Sequence, residues 1–190
     1  MFDARDRSRF LTDAELGRFL EAARMRRHKN RPRDLALFSL LATTGIRPSE
    51  ALALRHEDVH LDGPEPWITI RRLKTRRPNP VDQELAIPAE LASVLREHVA
   101  TVGAGVALFA MHRRQAERLF HYYARQARIP GRTWLYCLRH TAATRIYRAT
   151  RDIRTVQAVL GHAHPDMSAI YAHVTRAMLR EWARATTAVV

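Results

Sequence analysis

The chain has 190 residues, of which 46% are hydrophobic, and its 32 basic and 19 acidic residues give a formal net charge of +13. This length fits one domain, and the hydrophobic content suffices for an ordinary core, which excludes a wholly disordered chain. The opening sequence MFDARDRSRFLTD is too charged for a signal peptide, and no apolar run approaches the ~20 residues that cross a bilayer.

The excess of positive charge indicates a nucleic-acid partner, because basic side chains that neutralise phosphates release counterions and so add affinity. A charge that serves only solubility and a basic protein on a membrane surface are the alternatives. A single cysteine, Cys137, excludes an internal disulfide framework and a cysteine-rich zinc site. We therefore expect a cytoplasmic, nucleoid-associated protein without a membrane partner.

Only two of the 32 basic residues are lysines, Lys29 and Lys74. A lysine ammonium can be tuned to release a proton near neutral pH, whereas an arginine guanidinium cannot. Lys74 is therefore of interest for proton transfer, and Lys29, in the polar turn RRHKNRP, is interpreted as a solvated surface residue.

Residues 1–10 are predicted to be a charged lead-in. Thr12 and Glu15 have the spacing of a capping box, which predicts the start of an amphipathic helix over 13–27. The apolar positions of this helix recur at helical spacing and are expected to be buried: Leu16, Phe19, Leu20 and Ala23.

The sequence RDLALFSLLATTG predicts a second, mostly buried helix that ends at Gly45, a residue suited to left-handed dihedral angles. Pro48 can open a short helix at its first turn, so Arg47 is expected at a tight interhelical corner that holds its side chain rigidly. Glu50 either pairs with an arginine such as Arg47 or is only a favourable acid near a helix N-terminus.

Residues 66–73 have the β-branched and aromatic residues of a strand, and residues 83–88 are its predicted return. The connection KTRRPNPVD places Lys74 near the tip of the predicted hairpin, where a charged residue either reaches into a groove or is simply solvated. Helices are predicted over 88–102 and 112–129, each with one apolar side. Tyr122 and Tyr123 are interpreted as packing residues.

Residues 134–149 predict a helix with Arg139 beside its buried stripe, at the edge of the core. Asp152 is a predicted N-cap of the helix IRTVQAVLG, and His162 follows its terminal glycine. Pro165 begins a further short helix that carries Tyr171. The tail TRAMLREWARATTAVV predicts a last helix that folds back or docks on a neighbouring subunit.

These residues form a set that can attack a phosphodiester. The planar guanidinium groups of Arg47 and Arg139 can clamp one phosphate, and adjacent cations favour the phenolate of Tyr171, whose free pKa is ~10. Lys74 is then a general acid for the leaving oxygen, and His162 is a hydrogen-bond donor or proton shuttle. This chemistry requires no metal or other cofactor.

Each residue by itself has an ordinary interpretation. A single arginine is usually at the surface, a single tyrosine usually packs, and a histidine after a helix-ending glycine often caps the helix. The two histidines of His162-Ala163-His164 are poor evidence for a metal site without a third ligand. The order and spacing of the residues together favour the catalytic interpretation.

Three motifs and their order resemble the catalytic domain of the tyrosine recombinases, also called the phage-integrase family. They are TTGIRPSEALALRHEDV, LRHTAATR and LGHAHPDMSAIYAHV. The resemblance covers about residues 10–188. It implies a mainly helical α+β domain over residues 11–190, with a small antiparallel β-sheet.

The resemblance also implies roles for individual residues. Arg47 and Arg139 match the two catalytic arginines, His162 matches the histidine of the LGH box, and Tyr171 matches the nucleophile that forms a 3′-phosphotyrosine link without a metal. Lys74 matches the lysine of the family's hairpin, although the glycine-rich turn common there is absent.

Two departures from the family pattern qualify these expectations. Tyr136 stands where the H-x-x-R box usually has histidine, and a tyrosine can donate a hydrogen bond but is a poor proton acceptor at neutral pH. The N-terminal helical domain of most members is absent, so the chain is expected to be a fragment or one of the small members.

The resemblance implies a homotetramer on double-stranded DNA that recombines specific sites. Without the N-terminal domain, we expect DNA binding that is either weaker or assisted by an accessory DNA-binding protein. The rival functions are a type IB topoisomerase or resolvase and a non-catalytic DNA-binding protein of the same fold.

Overall fold

The computed structural model describes residues 10–71, 82–130 and 133–161. Within these ranges the chain is mainly helical with a small antiparallel sheet, which confirms the predicted α+β class. The helices are α1 Asp13–Arg24, α2 Arg31–Thr44, α3 Pro48–Ala53, α4 Ala89–Val99, α5 Arg113–Gln126, α6 Cys137–Thr150 and α7 Ile153–Leu160. The strands are β1 Val59–His60, β2 Trp67–Ile70 and β3 Gln83–Ala86.

Several predicted features lie outside the described residues: nearly all of the lead-in, the hairpin tip with Lys74, and everything after Gly161, including His162, Tyr171 and the last helix.

Helix α1 begins as predicted. The Thr12 hydroxyl accepts a hydrogen bond from the Glu15 amide at 3.2 Å, and the Glu15 carboxylate accepts one from the Thr12 amide at 2.8 Å. This capping box satisfies amides that have no partner within the helix. The four predicted apolar positions are buried, and the helix ends at Arg24, three residues before the predicted end.

Helix α2 is the centre of the molecule. It packs against α1, α4 and α6, and every residue from Asp34 to Thr44 is buried. A helix that is surrounded on all sides has no polar face, which explains the nearly continuous apolar run in its sequence. Phe38 of α2 joins an aromatic cluster with Phe19, Phe120 and Tyr123, and its ring centroid lies 5.3 Å from that of Phe19.

A buried ionic network connects α2 with α5 and with the segment that follows α1. The Asp34 carboxylate, fully buried, accepts hydrogen bonds from Arg26 at 3.0 Å, from Arg33 at 2.8 Å and from the Tyr123 hydroxyl at 2.7 Å. Burial raises the pKa of Tyr123 well above its usual range, so the hydroxyl stays a donor. Tyr123 is a packing residue, as predicted.

The strands form an antiparallel sheet in the order β1-β2-β3. Ile68 pairs with Val59 on one side and with Leu85 on the other. The strands β2 and β3 confirm the predicted hairpin stems, whereas β1 was not predicted from the sequence. A strand of two residues is too short to show an alternating pattern.

Cys137 is buried at the first turn of α6. A helix N-terminus ordinarily favours a thiolate, but desolvation outweighs that effect here and raises the pKa of Cys137 to about 12. The thiol is therefore a small apolar core group rather than a nucleophile.

Gly45 ends α2 in the left-handed conformation, with φ of 64°, as predicted. A Cβ atom at this position meets Leu160 Cδ2 at 2.5 Å and Ala142 Cβ at 2.9 Å. The glycine therefore permits both the turn and the close approach of α6 and α7 to the end of α2.

We expect Gly45→Ala to lower the free energy of unfolding by about 2–4 kcal/mol, since it combines left-handed strain with overpacking. Gly17 is the matched control, because it lies in α1 with nothing within 4 Å of an added Cβ. Gly17→Ala is expected to raise the stability by about 0.5–1 kcal/mol. Urea unfolding of both variants checks the prediction, and changes of the same sign contradict it.

Candidate functional site

Arg47 occupies the predicted corner between α2 and α3. It is the N-cap residue of α3, with extended dihedral angles, and Pro48 follows as the first helical residue. Proline fits this position because its missing N–H needs no partner there. The Arg47 side chain is 29% exposed, so it is partly accessible to solvent.

Glu50 holds Arg47 by two hydrogen bonds. Its carboxylate accepts one from the Arg47 amide at 2.9 Å and one from the Arg47 guanidinium Nη1 at 3.0 Å. The Glu50 side chain is only 1% exposed. This confirms the pairing interpretation of Glu50, and it adds a positioning residue that was not among the predicted catalytic residues. Its spacing of three residues from Arg47 was the available signal.

Arg139 lies in the first turn of α6 and is only 3% exposed, so it is buried more deeply than the predicted position at the edge of the core. Its Nη1 donates to the carbonyl oxygen of Gly45, and its Nη2 donates to that of Leu160 at 3.1 Å. These carbonyls belong to the ends of α2 and α7, where backbone oxygens lack partners within the helix. Arg139 thus joins three helices.

The Gly45 carbonyl brings the two predicted arginines into one region. It contacts the Arg139 guanidinium and lies two residues before Arg47, although 92 positions separate the two arginines in the sequence. Arg139 therefore contacts the turn that leads into Arg47.

Tyr136 precedes α6 and is 36% exposed. The Arg139 guanidinium carbon lies 6.0 Å from its ring centroid, and the His140 ring lies 5.3 Å away in an edge-to-face arrangement. A phenol beside a guanidinium can donate a hydrogen bond to the same anion that the guanidinium binds. Tyr136, which stands where the H-x-x-R box usually has histidine, therefore lies next to Arg139 and is partly exposed to solvent.

Helix α7 leads directly to His162. The Asp152 side chain caps it by accepting hydrogen bonds from the amides of Arg154 at 2.9 Å and Thr155 at 3.1 Å, as predicted. These bonds lower the pKa of Asp152, so the cap stays ionised at neutral pH. Gly161 ends the helix with φ of 66°. The hydrogen bond from Arg139 to the Leu160 carbonyl therefore holds the last described residues before His162 next to Arg139.

The structure describes Arg47, Arg139 and Tyr136 of the six predicted site residues and brings them into one neighbourhood. Lys74, His162 and Tyr171 lie outside the described residues. Among the residues that are described, no three His, Cys, Asp or Glu side chains lie close enough to hold a metal ion. None of the described helices has the length and apolar content that crossing a bilayer requires.

Comparison with known proteins agrees with this architecture. Residues 9–178 match the sequence model of the Phage integrase family, and the chain therefore belongs to that family. The tyrosine recombinase XerS of Streptococcus agalactiae is 28% identical over 156 residues, which are 77% of this chain and 43% of the relative. A tyrosine recombinase of Pseudothermotoga lettingae is 30% identical over 171 residues, 87% of this chain and 56% of the relative.

Solved structures of recombinases have the same fold. The XerH site-specific recombinase, in a post-cleavage complex with palindromic difH substrate, matches with a TM-score of 0.71 and 26% identity over 92% of this chain and 52% of XerH. The lambda integrase catalytic core matches in fold with a TM-score of 0.60 and 21% identity, over 82% of this chain and 96% of that core. The chain thus spans about half the length of the curated relatives it matches.

Proposed function

We propose that this chain cleaves and rejoins double-stranded DNA at specific sites through a 3′-phosphotyrosine formed by Tyr171. The observation that carries the proposal is the link between Arg139 and the Gly45 carbonyl, which gathers Arg47, Arg139 and Tyr136 around one turn. Two planar guanidinium groups, one on this turn and one bonded to it, suit the binding of a single phosphate group.

In the proposed reaction, Arg47 and Arg139 bind the two non-bridging oxygens of the scissile phosphate. The Tyr171 phenol gives its proton to solvent water, its oxygen attacks phosphorus, and the bond from phosphorus to the 5′-oxygen breaks. Lys74 gives a proton to that oxygen, which leaves as a 5′-hydroxyl. His162 donates a hydrogen bond to the phosphate, and Tyr136 supplies a second donor where the family usually has histidine.

The partner in this proposal is double-stranded DNA. A net charge of +13 supports it, because a basic protein gains affinity from counterion release. The similarity to XerH in complex with difH supports it as well. We further propose a homotetramer that exchanges strands between two sites, with an accessory DNA-binding protein that assists binding.

A non-catalytic DNA-binding protein is the second candidate function, and Tyr136 is the observation that favours it. A phenol in place of an imidazole removes a proton acceptor from the site, as expected if the fold had been kept for binding alone.

Covalent capture separates the two functions. The full chain is incubated with lightly nicked genomic DNA from its source, where a nick beside the scissile phosphate releases the short cleaved strand and traps the adduct. We expect a protein–DNA adduct that survives denaturation with SDS. Sequencing the captured fragments then defines a nicked duplex for quantitative work.

Tyr171→Phe is expected to abolish the adduct because it removes the attacking oxygen. Tyr122→Phe is the matched control, since Tyr122 is an exposed tyrosine of α5, and it is expected to leave the adduct unchanged. Salt-sensitive DNA binding without any adduct in the wild-type chain contradicts cleavage and supports the binding function. Relaxation of supercoiled DNA without recombinant products identifies a topoisomerase instead.

A further inference from the structure

His140 is a half-buried residue of α6 to which the proposed reaction gives no role. It follows Arg139 directly and lies four positions after Tyr136. Its side chain is therefore placed to contact a group of the proposed phosphate site.

Helix geometry directs His140 toward Tyr136. Tyr136 precedes α6 but already has helical dihedral angles, with φ of −67° and ψ of −16°. Residues four apart on a helix share a face, and aromatic helical side chains lean toward the helix N-terminus. The His140 ring accordingly lies against Tyr136, with 5.3 Å between the ring centroids and 72° between the ring planes. Aromatic rings prefer this edge-to-face arrangement.

Tyr136 contacts Arg139 more loosely than it contacts His140. The Arg139 guanidinium carbon lies 6.0 Å from the Tyr136 ring centroid, which is the outer limit (~6 Å) of a cation–π interaction. The 5.3 Å separation of the Tyr136 and His140 rings lies well within the range of about 4.5–7 Å for aromatic pairs. His140 is therefore the stronger of these two restraints on the Tyr136 ring.

The two side chains of the proposed site on this turn differ in how firmly they are held. The Arg139 guanidinium is fixed by the carbonyls of Gly45 and Leu160. The Tyr136 side chain is 36% exposed, and rotation about its side-chain torsions moves the hydroxyl relative to Arg139. A contact that selects one rotamer of Tyr136 therefore sets the position of its hydroxyl relative to an anion bound by Arg139.

The alternative is an aromatic pair that only stabilises the first turn of α6. Side-chain pairs four residues apart stabilise helices modestly, and a pair at a helix end fits that role. It predicts a change in the free energy of unfolding, and no change in the rate of cleavage by the folded protein. The two roles of His140 therefore differ in a measurable way.

We propose that His140 is a positioning residue that holds the Tyr136 phenol beside Arg139, so that the phenol donates a hydrogen bond to the phosphate that Arg139 binds. The inference rests on the proposed function, in which Tyr136 is a donor to the scissile phosphate. It assigns His140 a role through the packing of its ring, and it adds a residue outside the six predicted site residues.

Single-turnover cleavage of the nicked duplex measures this role. We expect His140→Ala to slow adduct formation about fivefold, the order of effect of one edge-to-face aromatic pair. His140→Phe keeps a ring that can make the same contact, and its rate is expected to stay within about twofold of wild type. Tyr147→Ala is the matched control, because it removes an exposed aromatic side chain from the same helix, and it is expected to leave the rate unchanged.

A double-mutant cycle with Tyr136→Phe identifies the group through which His140 acts. Tyr136→Phe keeps the ring but removes the donor, and it is expected to slow cleavage about tenfold, as for the loss of a hydrogen bond to a charged group. Once the hydroxyl is absent, its position has no effect on the rate. His140→Ala in this background is therefore expected to slow cleavage by less than about twofold more. Urea unfolding confirms that each variant is folded in the assay.

Three results overturn the positioning role: a wild-type rate for His140→Ala, an equal loss from His140→Ala with and without the Tyr136 hydroxyl, and a rate for His140→Phe as low as that of His140→Ala. The last result means that the imidazole itself, and not the packing of a ring, is required. Absence of an adduct from the wild-type chain contradicts the proposed function, and with it the role of Tyr136 on which the inference rests.

Discussion

Arg139→Ala is expected to slow strand cleavage ~10²–10³-fold and to lower the free energy of unfolding by about 3 kcal/mol. The slower cleavage follows from the proposed role, because removing one preorganised donor from a developing negative charge costs ~10²–10³-fold in rate. The loss of stability follows from the contacts. The carbonyls of Gly45 and Leu160 lose their guanidinium partner, and each buried acceptor left unsatisfied costs about 1–3 kcal/mol.

Cleavage of the nicked duplex and urea unfolding measure the two effects of Arg139→Ala separately. Arg148→Ala is the control for stability, because Arg148 lies on the same helix, is 55% exposed and pairs only loosely with Asp13 at 3.7 Å. We expect its stability to change by less than about 0.5 kcal/mol. If Arg139→Ala unfolds at the wild-type urea concentration, the guanidinium does not join the three helices as the structure indicates.

Arg139→Lys adds a sharper comparison within the same experiment. An ammonium keeps the charge but not the planar fork that reaches two carbonyls in different directions. We therefore expect the lysine variant to resemble the alanine variant in cleavage and to recover only part of the stability.

Glu50→Gln is expected to slow cleavage about 10–100-fold while DNA is still bound. The amide can still accept a hydrogen bond from the Arg47 backbone, but it loses the charge that holds the guanidinium Nη1. A guanidinium that leaves its productive orientation stabilises the transition state less, and each factor of ten in rate corresponds to about 1.4 kcal/mol.

A double-mutant cycle distinguishes this indirect role of Glu50 from a direct one. If Glu50 acts only by orienting Arg47, then Glu50→Gln has no further effect on cleavage in an Arg47→Ala background. If the double variant instead loses a rate factor equal to the product of the two single losses, the positioning role of Glu50 is contradicted. Urea unfolding of each variant confirms that the rates are compared between folded proteins.

The two predicted catalytic arginines differ in burial and in the groups that hold them. The sequence predicts the same role for Arg47 and Arg139, the binding of one phosphate, but their surroundings in the structure differ. Arg47 is partly exposed and held by a carboxylate, whereas Arg139 is buried and held by backbone carbonyls. The two arginines are therefore held by different kinds of acceptor, a carboxylate for Arg47 and backbone carbonyls for Arg139.

The sequence by itself determined the parts of this protein that depend on neighbours within a few positions. The Thr12 capping box, the Gly45 and Gly161 helix ends, the Pro48 helix start and the Asp152 cap were all predicted, because each depends on the residue type and on backbone a few positions away. The family motifs likewise indicated Arg47 and Arg139 as a pair.

Only the tertiary structure decided how distant segments meet. The Arg139–Gly45 contact spans 94 positions, the Tyr123–Asp34 bond 89 and the Gln83–Ala158 bond 75. Such contacts arise when helices pack around α2, and their partners are set by where each helix comes to lie rather than by spacing along the chain. For this reason the residues of the site could be named from the sequence, while the two different ways in which Arg47 and Arg139 are held could not.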